Sequence, residues 1–530
     1  MASPREEDSN TRVCDCKQTL SSKAASRFSR KSSTESARKI VEFALIPRRS
    51  QSMPAPRQIP NRGIPQTSPL AATERMPRGL HLGWLLLYVL VNGLILNPVL
   101  SSFNAIFIGD HNLPSVSAAR QAIATNLSDL AHLTSPGDFD NDSLGAMLPA
   151  LKSFAANPQV SPYQAVFFHD NVKFQYPLTS LLPLYFLQRL GVGDDDQSTI
   201  FNSACCIALL GILLLSIFIA LRLNRGGGPN TSAWSTRVIV STTVAAACLL
   251  FYPITRGLEL GQIQTILTFG FTAAFCCWIW GREKTSGVIL GVMVLVKPQY
   301  ALFLVWAPLR KRFGAFVSCI AAIAAGVIVS LCVFGFHNNM DYLKVLHFIG
   351  LHGESYATNQ SMNGLLNRLL FNGDNLIWDE KAFAPFNPIV YAGTVLSFVA
   401  LVGFSLFFPC GPQRKSGADD FACCLLVATM ASPIAWEHHY GILFPIFIWL
   451  WFGKSTRPVP RSRTIFIALA YFLTSDNIKV FDRLASIPVL NVFQSYLFFG
   501  ALIVLILLLR PTSPETAPAL LPRRCPPQRE

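Results

Sequence analysis

The sequence predicts an all-α membrane protein that crosses the bilayer many times. Only 14% of the 530 residues are charged, against about 25% in soluble domains, and 51% are hydrophobic. Apolar runs that approach the ~20 residues needed for a crossing recur from residue 80 to residue 510. The net charge is +14, but its basic residues gather in the N-terminal stretch and in short loops, as the positive-inside rule predicts. We therefore expect membrane lipids, and no nucleic acid, as partners.

The chain divides by composition into a membrane region and two tails. Residues 1–79 are rich in Ser, Arg, Pro and Gln and lack a long apolar run, which predicts a disordered basic cytoplasmic tail. No apolar core follows a short basic start, so a cleavable signal peptide is not predicted. Residues 80–510 form the predicted membrane domain, and residues 511–530 a second cytoplasmic tail.

About ten crossings and one re-entrant hairpin satisfy the distribution of basic residues. Residues 176–190 must then stay outside as a juxtamembrane or re-entrant helix, since they number roughly 15 and include two prolines. Residues 286–309 must fold back, because Pro298 cannot continue a helix and Lys297 is costly in the bilayer centre. The predicted spans are 82–107, 199–221, 237–254, 262–280, 313–335, 386–409, 419–435, 440–453, 463–475 and 487–509.

Two long loops, 108–198 and 336–385, lie outside in this topology, and the first carries an acidic run. Gly-Asp-Phe-Asp-Asn-Asp supplies the carboxylates of Asp138, Asp140 and Asp142. A carboxylate at a membrane surface can accept a proton from a hydroxyl group. The alternative for each is a solvated acidic turn. The run lacks the Gly and distal Glu of a calcium-binding loop, so we predict no calcium site there.

Later motifs add amides, cations and aromatic groups. Gln262 begins a span after Gly261, where it either orients a ligand or caps the helix. Arg368, downstream of Asn359-Gln360-Ser361, suits bidentate phosphate binding, although an amphipathic surface helix would show the same pattern. Trp436-Glu437-His438-His439 lies at an outer turn, where a histidine could contact a phosphate; an interfacial aromatic belt is the alternative.

In chain order, these motifs resemble a known set. An outer-loop Asp is followed by aromatic-Tyr-Pro at Tyr176, Gly-Gln at Gln262, Lys-Pro at Lys297, Asn-Gln-Ser with a downstream Arg, and Ser-Pro-x-x-Trp-x-His-His. This order resembles the polyprenyl-phosphate-dependent glycosyltransferases of the GT-C fold. More narrowly, it is similar to glycosyltransferase family 87, the bacterial mannosyl- and arabinofuranosyltransferases. The resemblance covers about residues 80–510, and it rests on the order of the motifs.

The resemblance implies a GT-C helical core and an enzyme of the bacterial inner membrane that acts on the periplasmic face. A polyprenyl-phosphate sugar would be the donor, and a hydroxyl of a lipid or cell-envelope glycan the acceptor. Asp138 best matches the general base, with Asp140 second, and His438 and His439 match the closing histidines. The resemblance implies no cofactor, and it does not decide whether the enzyme uses a divalent metal ion. The implied substrate-binding residues are Tyr176, Gln262, Lys297, Asn359, Gln360, Ser361, Arg368 and Trp436.

A transporter or flippase for a lipid-linked or polar substrate is the main alternative, since broken helices near the midplane are typical of transporters. The two long outer loops and the lack of a visible sequence repeat favour an enzyme.

Overall fold

The computed structural model describes residues 78–96, 139–224, 233–408, 417–453 and 461–509. The chain divides into two units, Met1–Ala72 and Thr73–Glu530, and every described residue belongs to the second. The predictions for residues 1–77, for Asp138 and for residues 511–530 lie outside the described part of the chain.

Helices are the regular secondary structure of the described residues, and no strand occurs among them, which confirms the predicted all-α class. Extended backbone pairs at one isolated bridge among them, between Asn359 and Trp436. Helices satisfy their own backbone hydrogen bonds, which a lipid environment requires. The α-helices are α1 Arg78–Val91, α2 Asp142–Ala156, α3 Leu182–Arg189, α4 Asp194–Leu223, α5 Ala233–Leu249, α6 Tyr252–Glu259, α7 Gln264–Ile279, α8 Glu283–Val296, α9 Leu302–Leu309, α10 Phe313–Phe334, α11 Phe336–Met340, α12 Tyr342–His352, α13 Met362–Leu369, α14 Pro388–Phe407, α15 Ala418–Met430, α16 Leu443–Phe452, α17 Arg461–Ser475 and α18 Tyr496–Leu509.

Short helical turns of other types connect several of these helices, mostly next to prolines or polar motifs. Two are π-helical, Asn92–Leu96 and Tyr163–His169. The 3₁₀ turns are Leu178–Leu181, Pro298–Ala301, Glu437–Ile442, Lys479–Leu484 and Leu490–Ser495.

Four helical segments in the described residues are long and apolar enough to cross a membrane. They are α4, α10, α14 and the continuous stretch Leu490–Leu509. A fifth span results if α5 and α6, which meet at a 52° bend, cross together. Leu82–Leu96 and Gln264–Ile279 are apolar but shorter. The chain is thus a multi-pass membrane protein, while the count of about ten crossings stays a prediction.

The helices separate into lipid-facing and central groups. α10 and α14 expose apolar side chains such as Val317, which is 62% exposed, and Leu396, which is 69% exposed. A soluble protein would bury such continuous apolar faces. By contrast, α15 and α16 are buried almost along their whole length, and they pack with α7 and α18 in the main core. Too short to cross alone, α15 and α16 are surrounded by other helices.

The chain breaks at Lys297, where the sequence predicts a break. α8 ends at Val296, and a 3₁₀ turn begins at Pro298 before α9. The starts of α8 and α10 lie together, because Arg312 Nη1 is 2.6 Å from Glu283 Oε1. The segment between them therefore leaves one end of the molecule and returns to it.

Close packing of α8 against α10 depends on two glycines. A Cβ on Gly287 would clash with the backbone of Ala315, and a Cβ on Gly291 would clash with the backbone of Cys319. The matching order of these contacts shows that α8 and α10 run in the same direction. α9 must consequently run in the opposite direction between them.

The two predicted outer loops pack on each other around a smaller core. Tyr163 stacks on Phe174 at 5.4 Å between ring centroids and contacts Tyr342 of the second loop at 5.6 Å. Residues 176–190 form a 3₁₀ turn and the eight-residue α3, which are too short to cross a bilayer. This layer forms one wall of the cavity described next.

Candidate functional site

One large cavity brings together residues that are distant in the sequence. Its volume is about 1290 Å³, and its walls come from the two predicted outer loops, the α8–α9 turn and the turn that precedes α16. A cavity of this size with a few convergent polar groups is typical of a ligand site. The predicted site residues that line it are Asp140, Tyr176, Gln262, Lys297, Trp436, His438 and His439.

The acidic run forms the first wall by pairing with the segment before Gly261. The backbone N–H of Asp140 donates to Glu259 O at 3.1 Å, and that of Asp142 donates to Leu260 O at 2.9 Å. Gly261 has a φ of +57°, and a Cβ there would come within 3.0 Å of the backbone of Asn141. The Gly-Gln motif is thus needed for a close turn that places Gln262 beside the carboxylates.

Gln262 orients Asp142 and does not act as a simple helix cap. Its Nε2 donates to Asp142 Oδ2, and its Oε1 accepts from Ser143 Oγ at 2.9 Å. Ser143 Oγ in turn accepts from the backbone N–H of Ile263 at 2.9 Å, and Tyr176 Oη lies 3.3 Å from it. Burial raises the pKa of Asp142, and the hydrogen bond from Gln262 partly opposes this rise. Asp142 is therefore the most constrained carboxylate on this wall.

Sequence reasoning selected Asp138 and Asp140 from the run and passed over Asp142. Asp140 lines the cavity with an exposed side chain, and Asp138 lies outside the described residues. Asp142 is the first residue of α2. The sequence did contain a signal for Asp142: an Asp at the predicted start of a helix is favoured, because a carboxylate stabilises the first helical turn.

The second wall is basic and lies in the interior. Lys297 Nζ is 2.5 Å from His439 Nε2 and donates to Gln264 Oε1 at 2.9 Å. An ammonium group can only donate, so with Lys297 protonated the proton of the neutral His439 lies on Nδ1. Burial and the nearby Lys297 lower the pKa of His439, which keeps the imidazole neutral. Within the described part of the chain, His439 Nδ1 and His438 Nε2 have no hydrogen-bond partner.

Arg256 on α6 also lines the cavity, next to the buried Glu437. Its Nη1 pairs with Glu259 Oε2 at 2.8 Å. Glu437 accepts a hydrogen bond from Tyr252 at 2.8 Å, and burial raises the pKa of Glu437 to about 7. Sequence reasoning missed Arg256 and Gln264, because each stands at the edge of an apolar run where a single polar residue is unremarkable.

The Asn-Gln-Ser motif and Arg368 do not line the cavity. Arg368 is fully buried, and its guanidinium donates to Asn359 O at 3.0 Å, to Tyr356 O at 3.2 Å and to Ser495 Oγ at 2.6 Å. Ser361 caps α13, since its Oγ accepts from Gly364 N. The structure therefore does not place Arg368 where it could contact a phosphate in the cavity.

These residues support the cavity from behind. Asn359 Oδ1 accepts from the backbone of Ala435 at 2.9 Å, and the backbone of Gln360 donates to Ala435 O at 2.8 Å. Tyr440 also donates to Gln360 O at 2.5 Å. The motif thus holds both ends of the segment that carries Trp436, His438 and His439. We assign Asn359, Gln360, Ser361 and Arg368 to positioning this segment.

One flank of the cavity is apolar. It is lined by Leu302 and Val305 of α9 and by Phe398, Val402 and Leu406 of α14. Val305 and Phe398 are each 49% exposed, on helices whose outer faces are apolar. The cavity therefore combines a polar interior with an apolar side that continues toward the lipid-facing surface. Among the described residues, no group of three or more His, Cys, Asp or Glu side chains is arranged to hold a metal ion.

Comparison with known proteins confirms the predicted family resemblance. Residues 174–433 match the model of glycosyltransferase family 87. A polyprenol-phosphate-mannose-dependent alpha-(1-2)-phosphatidylinositol pentamannoside mannosyltransferase of Mycobacterium tuberculosis (strain CDC 1551 / Oshkosh) is 26% identical over 266 residues, which are 49% of this chain and 56% of that protein. Its Mycolicibacterium smegmatis counterpart is 28% identical over 210 residues, 38% of this chain and 45% of that protein.

A third relative is named for a related activity. The polyprenol-phosphate-mannose-dependent alpha-(1-2)-phosphatidylinositol mannoside mannosyltransferase of Mycobacterium tuberculosis (strain ATCC 25618 / H37Rv) is 25% identical over 293 residues, 53% of this chain and 63% of that protein. The chain thus spans about half to three fifths of the length of these relatives. No solved structure matches it.

Proposed function

Because residues 174–433 form a glycosyltransferase family 87 region, we propose that this chain transfers a sugar from a polyprenyl-phosphate donor. The sugar is mannose or arabinofuranose, and mannose is favoured because the relatives are named as polyprenol-phosphate-mannose-dependent enzymes. The acceptor is a hydroxyl of a lipid or of a cell-envelope glycan. One observation carries the proposal: a single cavity joins an oriented carboxylate, a basic wall and an apolar flank.

Asp142 is the proposed general base, with Asp140 as the second candidate. Gln262 holds one carboxylate oxygen of Asp142, which leaves the other for the acceptor hydroxyl. Burial raises the pKa of Asp142, and a pKa nearer neutrality makes a carboxylate a stronger base. The acceptor oxygen attacks the anomeric carbon as its proton passes to Asp142. The bond from that carbon to the phosphate oxygen breaks, and the configuration is inverted.

The basic wall stabilises the departing lipid phosphate in this mechanism. Arg256 supplies positive charge, and Lys297 and the side-chain nitrogens of His438 and His439 supply hydrogen-bonding groups. Preorganised cations and donors in a water-poor site stabilise developing negative charge strongly. Arg256 replaces Arg368 as the arginine of the proposed site, because Arg256 borders the cavity.

The apolar flank between α9 and α14 suits the polyprenyl chain of the donor. Its lining residues are hydrocarbon side chains, and both helices expose apolar groups on their outer surfaces. A lipid-linked donor could then enter sideways from the bilayer while its phosphate reaches Lys297. Burying the first prenyl units against this flank would contribute about 25 cal/mol per Å² of apolar surface.

The proposed topology places this cavity on the periplasmic side of a bacterial inner membrane. Residues 286–309 form the re-entrant hairpin, and the contact of Arg312 with Glu283, which brings the starts of α8 and α10 together, supports this. About ten crossings and the outer placement of 336–385 complete the arrangement. An alkaline phosphatase fusion within residues 372–387 should be active, since this enzyme requires the periplasm. High activity there from a reporter that works only in the cytoplasm would contradict the topology.

The activity is tested with purified protein, membrane lipid acceptors and radiolabelled polyprenyl-phosphate-mannose or its arabinofuranose analogue. The unmodified protein should form labelled product, and Asp142→Asn should lower kcat by at least about 100-fold, since a general base contributes 10²–10⁴. Asp196→Asn is the matched control, because Asp196 is exposed at the start of α4. Full activity in both Asp142→Asn and Asp140→Asn would exclude the proposed base.

A transporter or flippase remains the second candidate, favoured by the broken α8–α9 segment and the bent α5–α6 pair. Liposomes containing the protein and a fluorescent polyprenyl-phosphate sugar distinguish the two. Movement of the lipid between leaflets without sugar transfer would support transport, whereas transfer without accelerated movement supports the enzyme.

A further inference from the structure

A loop from the second outer segment brings an aromatic ring to the cavity. We call residues 371–387 the cavity loop; it carries Trp378, Glu380 and Lys381, and all three line the cavity. Trp378 is 37% exposed, although it contacts Trp436 edge-to-face with ring centroids 5.1 Å apart. Part of this large ring therefore stays available to a ligand.

A buried ion pair holds the ring in place. Lys173 Nζ lies 3.8 Å from the ring centroid of Trp378, donates to Asp379 O at 2.8 Å and pairs with Glu354 Oε2 at 2.8 Å. The side chains of Lys173 and Glu354 are only 9% and 6% exposed. Burying two charges is costly unless their hydrogen bonds are satisfied, and here they are. Lys173 thus stacks on the indole and anchors the backbone beside it.

The loop itself is ordered by its own side chains. Asp379 Oδ1 accepts from the backbone N–H groups of Lys381 and Ala382 at 2.8 and 3.0 Å. Asp374 Oδ1 accepts in the same way from Leu376 and Ile377 at 2.8 and 2.9 Å. Two such turns on either side of Trp378 fix its backbone, so the ring is presented before any ligand arrives.

The groups near Trp378 have the chemistry of a carbohydrate site. A pyranose presents an apolar C–H face, which suits an aromatic ring, and a rim of hydroxyls, which suits carboxylates and amides. Glu380, Asn171 and Gln175 line the same cavity as Trp378. Glu380 is also close enough to Asp142 to influence its carboxylate electrostatically. The cavity loop therefore faces the wall that carries the proposed base.

We propose that Trp378 is the stacking platform for the sugar of a carbohydrate-headed acceptor. The acceptor is then a glycan or glycolipid, not a simple lipid alcohol. This inference rests on the proposed function and specifies its acceptor. The donor occupies the basic wall and the apolar flank, while the acceptor sugar lies on Trp378 with one hydroxyl at Asp142. Lys173 is a positioning residue, because it acts through Trp378.

The test compares two acceptor probes with the full-length protein in detergent and saturating radiolabelled polyprenyl-phosphate-mannose. The sugar-headed probe is octyl α-mannopyranoside, and the sugar-free probe is 1-O-octylglycerol. The unmodified protein should prefer the mannoside. Trp378→Ala should raise KM for the mannoside about tenfold, since the aromatic contact to the acceptor sugar is lost, and leave the donor KM unchanged. Trp378→Phe should retain most of the affinity.

Controls separate this inference from the proposed function. Trp234→Ala removes a tryptophan that is 76% exposed on α5, and it should change neither KM. An unmodified protein that uses no polyprenyl-phosphate donor contradicts the proposed function itself. Equal use of both probes, an unchanged mannoside KM in Trp378→Ala, or a rise in the donor KM alone overturns the acceptor platform while the proposed transferase activity stands.

Discussion

The Asp142–Gln262 wall and the Asn359–Arg368 segment look alike in the sequence but have different places in the molecule. Each joins amide side chains and a charged group near the end of an apolar run. Asp142 and Gln262 border the cavity, whereas the guanidinium of Arg368 is surrounded by protein hydrogen-bond acceptors. A polar motif in a membrane protein can serve a ligand or hold the chain that serves it. Which of the two applies depends on where its hydrogen bonds go.

The largest expected effect on activity comes from Lys297, which borders the cavity as Asp142 and Gln262 do. Lys297→Met should lower kcat by about 100- to 1000-fold, as expected when one preorganised group that stabilises a leaving anion is removed. The fold should remain, since Lys297 borders the cavity, where water can replace its hydrogen bonds to Gln264 and His439. Steady-state transfer from polyprenyl-phosphate-mannose measures the effect. Lys284→Met, at an exposed position on α8, the helix that ends just before Lys297, should leave kcat unchanged, and a similar loss there would contradict the assignment.

Substitution of Arg368 should lower the stability of the protein and leave its activity largely unchanged, the reverse of the result expected for Lys297. Arg368→Met leaves the carbonyl oxygens of Asn359 and Tyr356 and the hydroxyl of Ser495 without their buried donor, at a cost of about 3 kcal/mol in unfolding free energy. Thermal unfolding in detergent should show the loss, with kcat per folded molecule retained at low temperature. Arg189→Met, at an exposed arginine, is the control. A stable Arg368→Met protein with a raised donor KM would contradict this assignment and indicate that Arg368 contributes to donor binding.

Substitution of Gln262 should cause the smallest loss of activity, but it should also shift the pH profile, which the other substitutions are not expected to do. Gln262→Leu removes the hydrogen bond that lowers the pKa of Asp142, while burial continues to raise it. A general base must be deprotonated, so activity falls as pH drops through this pKa. The acidic limb of the kcat/KM profile should therefore move to higher pH, with about a tenfold loss at neutral pH. An unshifted limb would show that Asp142 is not the titrating base.

Much of the site could be predicted because its residue types are unusual in a membrane protein. Gln262, Lys297, His438 and His439 are polar groups at the ends of apolar runs, where burial without a role is costly. Arg256 was missed, because one arginine after an apolar run matches an ordinary loop boundary. Trp378 was missed as well, since nothing local distinguishes it from an interfacial tryptophan.

The sequence by itself determined the all-α membrane class, the break at Lys297 and the family resemblance. These follow from hydropathy, from the lost hydrogen bond at Pro298 and from motif order, all of which are local or sequential properties. Only the tertiary structure decided that Asp142 faces the cavity, that Lys297 meets His439 and that Arg368 supports the chain behind them. Those outcomes depend on contacts between segments more than 100 residues apart, and no local pattern specifies which hydrogen-bond partners such segments will find.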